Sequence, residues 1–287
     1  MLYAGTSGFS YPGWKGKFYP ATLSGARMLA FYAERLNGVE LNGSFYRTPP
    51  ETALTKWVAQ TPAGFRFCMK ANRGLTYSAE GFDRVGLARI LGERLAPLSE
   101  RLGPILLQFP PTRQLNLSLL DSLLGALARP AAIEFRHESW FNDLTYRVIR
   151  AHAGALVVTD EEKWPRAPLI DLGSVAYFRL RRGYTTSALR PWIAEVRSAA
   201  ATHDEVHVCT SSTTLRRLAW RSACSGQLLS YCRGDRLPAG PSSSDQQRYG
   251  DDGHQHHEER CQLGLPHSKK HGWIGPQEAE KEPSGRI

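Results

Sequence analysis

A chain of 287 residues, 41% hydrophobic and 22% charged, is long enough for one large domain or two small ones and too apolar to be disordered throughout. No run approaches the ~18 apolar residues of a membrane helix. The start, MLYAGTSGFS, has no basic segment leading into an apolar one, so a cytoplasmic protein without a membrane partner is expected. The net charge of +9 favours acidic partners, an anionic small molecule or nucleic acid, although a basic proteome produces the same balance.

In chain order, short apolar runs bounded by Gly, Pro or Asn predict eight strands: 2–9, 38–46, 65–73, 104–110, 131–137, 155–160, 175–181 and 205–208. Helical patterns fill most of the gaps. SGARMLAFYAERLNG sets Met28, Leu29, Tyr32 and Leu36 on one face and stops at Asn37-Gly38. LARILGERLAPLSERLG, LSLLDSLLGALARP and TSALRPWIAEVRSAAATH read the same way. The gap after residue 160, EEKWPRAP, carries two prolines and reads as a loop placed to cover a site. Strands separated mainly by helices predict an α/β fold with a parallel sheet. Eight of them by residue 208 predict a (β/α)8 TIM barrel, with a doubly wound open sheet as the alternative. There is no internal repeat, and GTSGFSYPGW is not a GxGxxG phosphate loop. The five cysteines form no CxxC pair, so no zinc or redox motif is visible.

Barrel chemistry sits at the C-terminal strand ends, and several strands here end in residues an apolar core would not choose. Strand two carries Glu40 and Asn42, and strand three ends at Lys70 with Asn72 and Arg73. Strand four ends at Gln108. Strand five has Glu134 and Arg136 on one side with His137 after them. Strand six ends at Asp160, and strand seven offers Arg179 and Arg181. Each such charge costs several kcal/mol in an apolar strand unless paired. A salt-bridge network closing the barrel is the bland account of any one of them, and convergence from so many strands favours a site.

Glu40 and Glu134 are candidates for general acid and base, with His137 and Asp160 as further catalytic candidates. Lys70, Arg136, Arg179 and Arg181 suit a phosphate or carboxylate. Glu40, Glu134, His137 and Asp160 could hold a divalent metal, but the nearby cations would repel it, so no metal ligand is assigned and the cofactor stays open. Phe9, Tyr11, Trp14, Phe45, Tyr46, Trp140 and Trp164 could stack on a sugar or base. Ser7, His137 and Asp160 could form a hydrolytic triad, without the GxSxG elbow that would support one.

The segments GTSGFSYPGWKGKFYP, VELNGSFYRTP, FRFCMKANR, LLQFPP, IEFRHESW, VVTD and YFRLRRGY, in this order across residues 3 to 184, resemble the YecE-like family, a domain of unknown function (number 72). The resemblance implies a TIM barrel with a polar cluster at its mouth and brings no established activity. Carried over by motif, the family's polar positions fall on Glu40, Asn42, Lys70, Gln108, Glu134, Arg136, His137, Trp140, Asp160 and Arg179. One departure is Tyr77, where relatives often place a histidine after LT. The expected function is an enzyme, hydrolase- or phosphoesterase-like, acting on a phosphorylated or nucleic-acid-like substrate. Asn42, Lys70, Gln108, Arg136, Trp140 and Arg179 would bind it. The alternatives are a non-catalytic nucleic-acid or anion binder and a metal-dependent sugar isomerase or epimerase.

The pattern breaks at Cys209. Relatives tend to end strand eight with a sequence like VYFKHED followed by an Ala/Leu-rich helix, whereas this chain continues CTSSTTLRRLAWRSACSGQ. Read from the third base of the Cys209 codon, one permitted back-translation gives Tyr-Phe-Lys-His-Asp. With four-fold-box codons, the codon bridging Arg221 and Ser222 must encode Phe, Leu, Ile or Val. Those bridging Ala219–Trp220 and Ala223–Cys224 must encode Leu, Met or Val. The hypothesis is a frameshift after about Val208: a barrel over residues 1–208, an aberrant segment over 209–235 replacing the closing helix, and a disordered tail over 236–287. A genuine basic tail, with five of the nine histidines in its last 34 residues, is the rival. Resequencing around codon 209 decides between them, and a clean read in the present frame would dismiss the shift.

Overall fold

The computed structural model describes residues 1–127 and 129–211. All eight expected strands are present: β1 (Leu2–Thr6), β2 (Gly38–Leu41), β3 (Arg66–Met69), β4 (Ile105–Phe109), β5 (Ala131–Phe135), β6 (Ala155–Asp160), β7 (Val175–Leu180) and β8 (Glu205–Thr210). The strands before β6 are shorter than their apolar runs. Seven α-helices accompany them: α1 (Met28–Ala33), α2 (Glu51–Ala59), α3 (Arg73–Tyr77), α4 (Arg84–Leu95), α5 (Leu117–Leu127), α6 (Asp143–Ala151) and α7 (Thr186–Thr202). Caps fix several starts. Asn72, Asp83, Asn142 and Thr185 each accept a backbone N–H of the first turn.

Every strand pairing is parallel. Six strands run β1-β8-β7-β6-β5-β4, and β2 pairs with β3. Isolated bridges join the two sets, Ser7 to Glu40 at one seam and Phe67 to Leu102 and Lys70 to Leu106 at the other. The ring is thereby closed, and the fold is a TIM-type α/β barrel rather than an open doubly wound sheet.

The β1–β2 seam is closed by side chains. Asn37 accepts the Ala4 N–H at 2.8 Å and donates to the Leu2 carbonyl at 2.8 Å. Tyr32 accepts the Thr6 N–H at 2.9 Å and donates to the Gly38 carbonyl at 3.0 Å. Gly5 has to be glycine here, because a Cβ would lie 1.9 Å from the Gly38 carbonyl oxygen.

Alternation sorts the side chains into two cores. Outward residues such as Val158, Ala176, Phe178, Leu180 and Val206 pack under α7 against Leu189, Trp192 and Val196. Inside the barrel lie Cys68, Leu106, Ala132, Ala155, Val157, Val175, Tyr177 and Cys209. Below this layer His207 stacks between Tyr3 and Tyr177, with ring centroids 4.9 and 5.8 Å away.

Strand eight does not stop at Val208. Cys209 and Thr210 continue the ladder against Gly5 and Thr6 of β1 and against Arg179 and Leu180 of β7. Cys209 is a small apolar side chain and fits the buried interior it reaches. The segment from residue 212 onward, including most of the expected aberrant stretch and all of the expected tail, lies outside the described residues. The loop between β6 and β7 contains no helix and is pinned at several points. Ala167 and Leu172 are buried, and Arg166 donates to both carboxylate oxygens of Glu195 on α7 at 3.0 and 2.8 Å.

Candidate functional site at the barrel mouth

The C-terminal strand ends place one buried guanidinium between two buried carboxylates. Arg179 of β7 donates from Nε to Glu40 Oε2 and from Nη2 to Glu40 Oε1, each at 2.8 Å. Its Nη1 donates to Glu134 Oε2. All three side chains are at most 2% exposed. The fork geometry of arginine makes this possible, since one guanidinium satisfies acceptors on opposite walls.

Other donors complete the carboxylates. Glu40 accepts Ser7 Oγ at 2.9 Å, Asn42 Nδ2 at 3.1 Å and the Tyr177 hydroxyl at 3.1 Å. Glu134 accepts Gln108 Nε2 at 2.6 Å and Arg136 Nε at 3.1 Å. Because that carboxylate only accepts, Gln108 presents its oxygen to the other side, where Lys70 Nζ donates at 2.7 Å. Arg181 Nη1 donates to Ser7 Oγ at 2.7 Å.

Burial alone would raise the Glu40 carboxyl, but Arg179, with Arg181 and Ser7, outweighs it and holds the group at about 2. Glu134 is likewise lowered, with burial opposed by Arg179 and Arg136. For Arg179, burial opposes the charge, and Glu134 and Glu40 overcome it and raise its pKa well above the ordinary value. Lys70 moves the other way. Burial and then the nearby Arg179 bring its ammonium down to about 8.

Above this layer lies an open cavity of about 370 Å3, lined by Ser7, Tyr11, Asn42, Phe45, Tyr46, Lys70, Tyr77, Gln108, Arg136, Arg179, Arg181 and Ser211. Phe45 stands edge-on to both Tyr46 and Tyr77, with centroids 5.2 and 5.4 Å away. Lys70 Nζ lies 4.2 Å from the Phe45 ring centre. The tyrosine at position 77 therefore lines the mouth as part of an aromatic wall.

Seven of the ten expected positions meet here: Glu40, Asn42, Lys70, Gln108, Glu134, Arg136 and Arg179. Three do not. Asp160 is paired in register with Leu180 on the helix side of the sheet, where it binds the Tyr184 hydroxyl and Arg182 Nη2. His137 follows Phe135 in the outward phase of β5, and its Nδ1 meets Ser139 Oγ at 2.9 Å and caps the short turn Glu138–Trp140. Trp140 is fully buried in the outer layer, stacked on Phe135 at 4.4 Å, with its indole N–H on the Arg113 carbonyl at 2.7 Å. The triad of Ser7, His137 and Asp160 is not assembled, since each makes its bonds elsewhere. Of the other aromatics, Trp14 is buried in the outer core with Phe9 packed against that core, and Trp164 lies 4.8 Å beneath the Arg136 guanidinium. Tyr177 is the site residue that the sequence reading passed over. It shares the inward phase of Arg179, two residues away, which was the available signal.

Fold and site together define a class: a TIM-type barrel whose mouth is a hydrogen-bonded cluster of carboxylates, cations and amides under an aromatic wall. The chain belongs to the family described as protein of unknown function DUF72, which it matches over residues 3–230. It is similar to the UPF0759 protein YunF of Bacillus subtilis, 31% identical over 191 residues, covering 61% of this chain and 64% of that protein. It is also similar to the UPF0759 protein YecE of Escherichia coli K12, 32% identical over 146 residues, covering 49% of this chain and 50% of that one. The chain thus spans about half to two thirds of the length of these relatives. Among solved structures, a DUF72 family protein from Thermotoga maritima superposes with a TM-score of 0.68 at 28% identity, over 78% of this chain and 99% of that one. Another from Enterococcus faecalis superposes with a TM-score of 0.65 at 21% identity, over 83% and 97%, a likeness of fold.

Proposed function

We propose that the barrel mouth binds the phosphate of a phosphorylated or nucleic-acid-like substrate and that the protein is an enzyme acting on it. The observation that carries this reading is the charge of one bonded cluster. Four cations (Lys70, Arg136, Arg179 and Arg181) stand against two carboxylates (Glu40 and Glu134), a net of +2. Counting Glu161, 3.9 Å from Arg136 at the rim, leaves +1. A phosphate entering the cavity takes up this excess positive charge and meets donors from Arg181, Arg136 and Asn42, and the wall of Phe45, Tyr46 and Tyr77 supports a sugar or base.

Glu40 and Glu134 are ionised at neutral pH and have no proton to donate, so neither is a general acid in the unliganded site. A base role falls to whichever carboxylate a bound phosphate frees from Arg179. The experiment is a panel of phosphomonoesters and phosphodiesters turned over by the wild type and by Glu134→Gln. Turnover that falls at least about 100-fold in the variant supports the role, as expected for loss of a positioned base. Unchanged turnover removes Glu134 from the chemistry.

A second reading, a non-catalytic anion binder, is favoured by one observation: Arg179 already occupies both carboxylates. It predicts phosphate binding that survives Glu40→Gln with no turnover of any panel member. The isomerase or epimerase reading has less support, because a divalent ion would have to displace that guanidinium. Among the described residues no group of three or more His, Cys, Asp or Glu side chains could hold a metal.

A further inference from the structure

We propose that Lys70 is the nucleophilic amine of the mouth and forms an iminium with the carbonyl carbon of a phosphorylated aldehyde or ketone. The inference rests on the anion-binding reading for the phosphate and goes beyond it in assigning a covalent step.

The geometry separates Lys70 from Arg179 and Arg136, and of the cluster's cations only its amine can become a neutral nucleophile near neutral pH. Arg179 and Arg136 are held by carboxylates, whereas among the described residues Lys70 makes no ion pair. Among the described residues its ammonium bonds only to the neutral oxygen of Gln108, whose orientation Glu134 dictates. The half-buried side chain sets its Nζ over the Phe45 ring, and Lys70 lines the cavity. A lysine beside another cation and partly withdrawn from water is set up to lose its proton near neutral pH. At a pKa of about 8, about one amine in ten is neutral at pH 7. For an ordinary lysine the figure is about one in three thousand.

The step balances without an added reagent. The neutral Nζ lone pair attacks the carbonyl carbon while the C=O pair moves to oxygen, giving a carbinolamine. The C–O bond then breaks and water leaves, so that ammonium plus carbonyl yields iminium plus one water. Two of the three ammonium protons depart on that water, and the positive charge stays on nitrogen. The iminium is an electron sink for breaking a C–H or C–C bond next to it. The phosphate of the same molecule meets Arg181 and Arg136, which line the same cavity.

The test uses the full chain and pyridoxal 5'-phosphate as a probe that combines aldehyde, ring and phosphate, with borohydride reduction and peptide mapping. Lys70 is expected to be modified on the order of tenfold faster than Lys15, Lys17, Lys56 or Lys163, with a rate that rises through pH 8, and Lys70→Arg removes the fast phase. Modification of Lys70 no faster than those four overturns the inference. Pyridoxal without phosphate, and titration with inorganic phosphate, separate the two claims. Equal preference for Lys70 with either probe, and no protection by phosphate, keeps the amine assignment and removes the anion reading. Measurable phosphate binding without preferential modification keeps the anion reading and removes the amine assignment.

Discussion

Arg179 bonds to Glu40 and Glu134 at once, so its replacement exposes what the cluster is for. Arg179→Met leaves two buried carboxylates without their main partner, and breaking a buried pair in this way costs about 3–5 kcal/mol. Urea unfolding should show a loss of that size, while a change under 1 kcal/mol would mean that water already serves the carboxylates. The acid limb follows from the same residues. Glu40 is lowered to about 2 and Glu134 is lowered too, so the folded state binds fewer protons than the unfolded state in this range. Their contribution is present above the unfolded carboxyl pKa of about 4.5 and is lost as pH falls toward 2. Glu40→Gln should flatten that fall in a pH series of unfolding midpoints, and an unchanged slope would contradict the assignment. Lys70 contributes a penalty rather than a stabilisation. Its depressed pKa penalises the folded state below about 8, and the penalty lifts between there and the ordinary lysine value.

The elements obey a period of two, and that rule accounts for most of what was legible in advance. It predicted all eight strands and put Glu40 with Asn42, and Glu134 with Arg136, on one side of their strands. The same rule, applied one residue further, separates His137 from Glu134 and Asp160 from Thr159, and so removes both from the mouth. They looked like site residues because strand ends concentrate polar groups on both faces of a sheet. Trp140 belongs to a short turn whose packing on Phe135 depends on a tertiary contact no local pattern reports. Asn37 read as a helix stop, yet it is also a surrogate strand neighbour for Leu2 and Ala4. Asn37→Ala strips partners from two backbone groups, at about 1–3 kcal/mol. Gly5→Ala, with a Cβ 1.9 Å from the Gly38 carbonyl oxygen, should be worse, because the clash is with backbone that cannot step aside. Thermal unfolding of the pair ranks them, and Gly5→Ala with a wild-type midpoint would show that the seam opens without cost.

For the whole molecule, the barrel and its mouth were readable because each strand carried its own signal and the family motifs fell on the strand ends. The bonded order within the mouth was not readable, since it depends on which side chains face each other across a closed ring. Among the described residues no helix is long and apolar enough to cross a membrane. If the ligand is a nucleic acid, a mouth of net charge one to two neutralises about one or two phosphates. The affinity should then fall with log salt at a slope of about −0.7 to −1.4 on single strands and −0.9 to −1.8 on duplex. A flat profile would confine the ligand to small molecules. The frameshift hypothesis remains a question for the gene, and resequencing at codon 209 is its test.

The pairing of Leu2 with Val206 also sets a timetable for biosynthesis. β1 leaves the ribosome well before it can be laddered on this edge, because β8 follows it by about 200 residues. At ~5–20 residues per second that is a wait of roughly 10–40 s. During it, a bare strand edge invites association with other nascent chains. Tyr32 and Asn37 follow β1 by only about 30 residues and hold its opposite edge long before β8 arrives. Losing either side chain should therefore lower the yield of soluble protein more than its equilibrium stability alone would suggest.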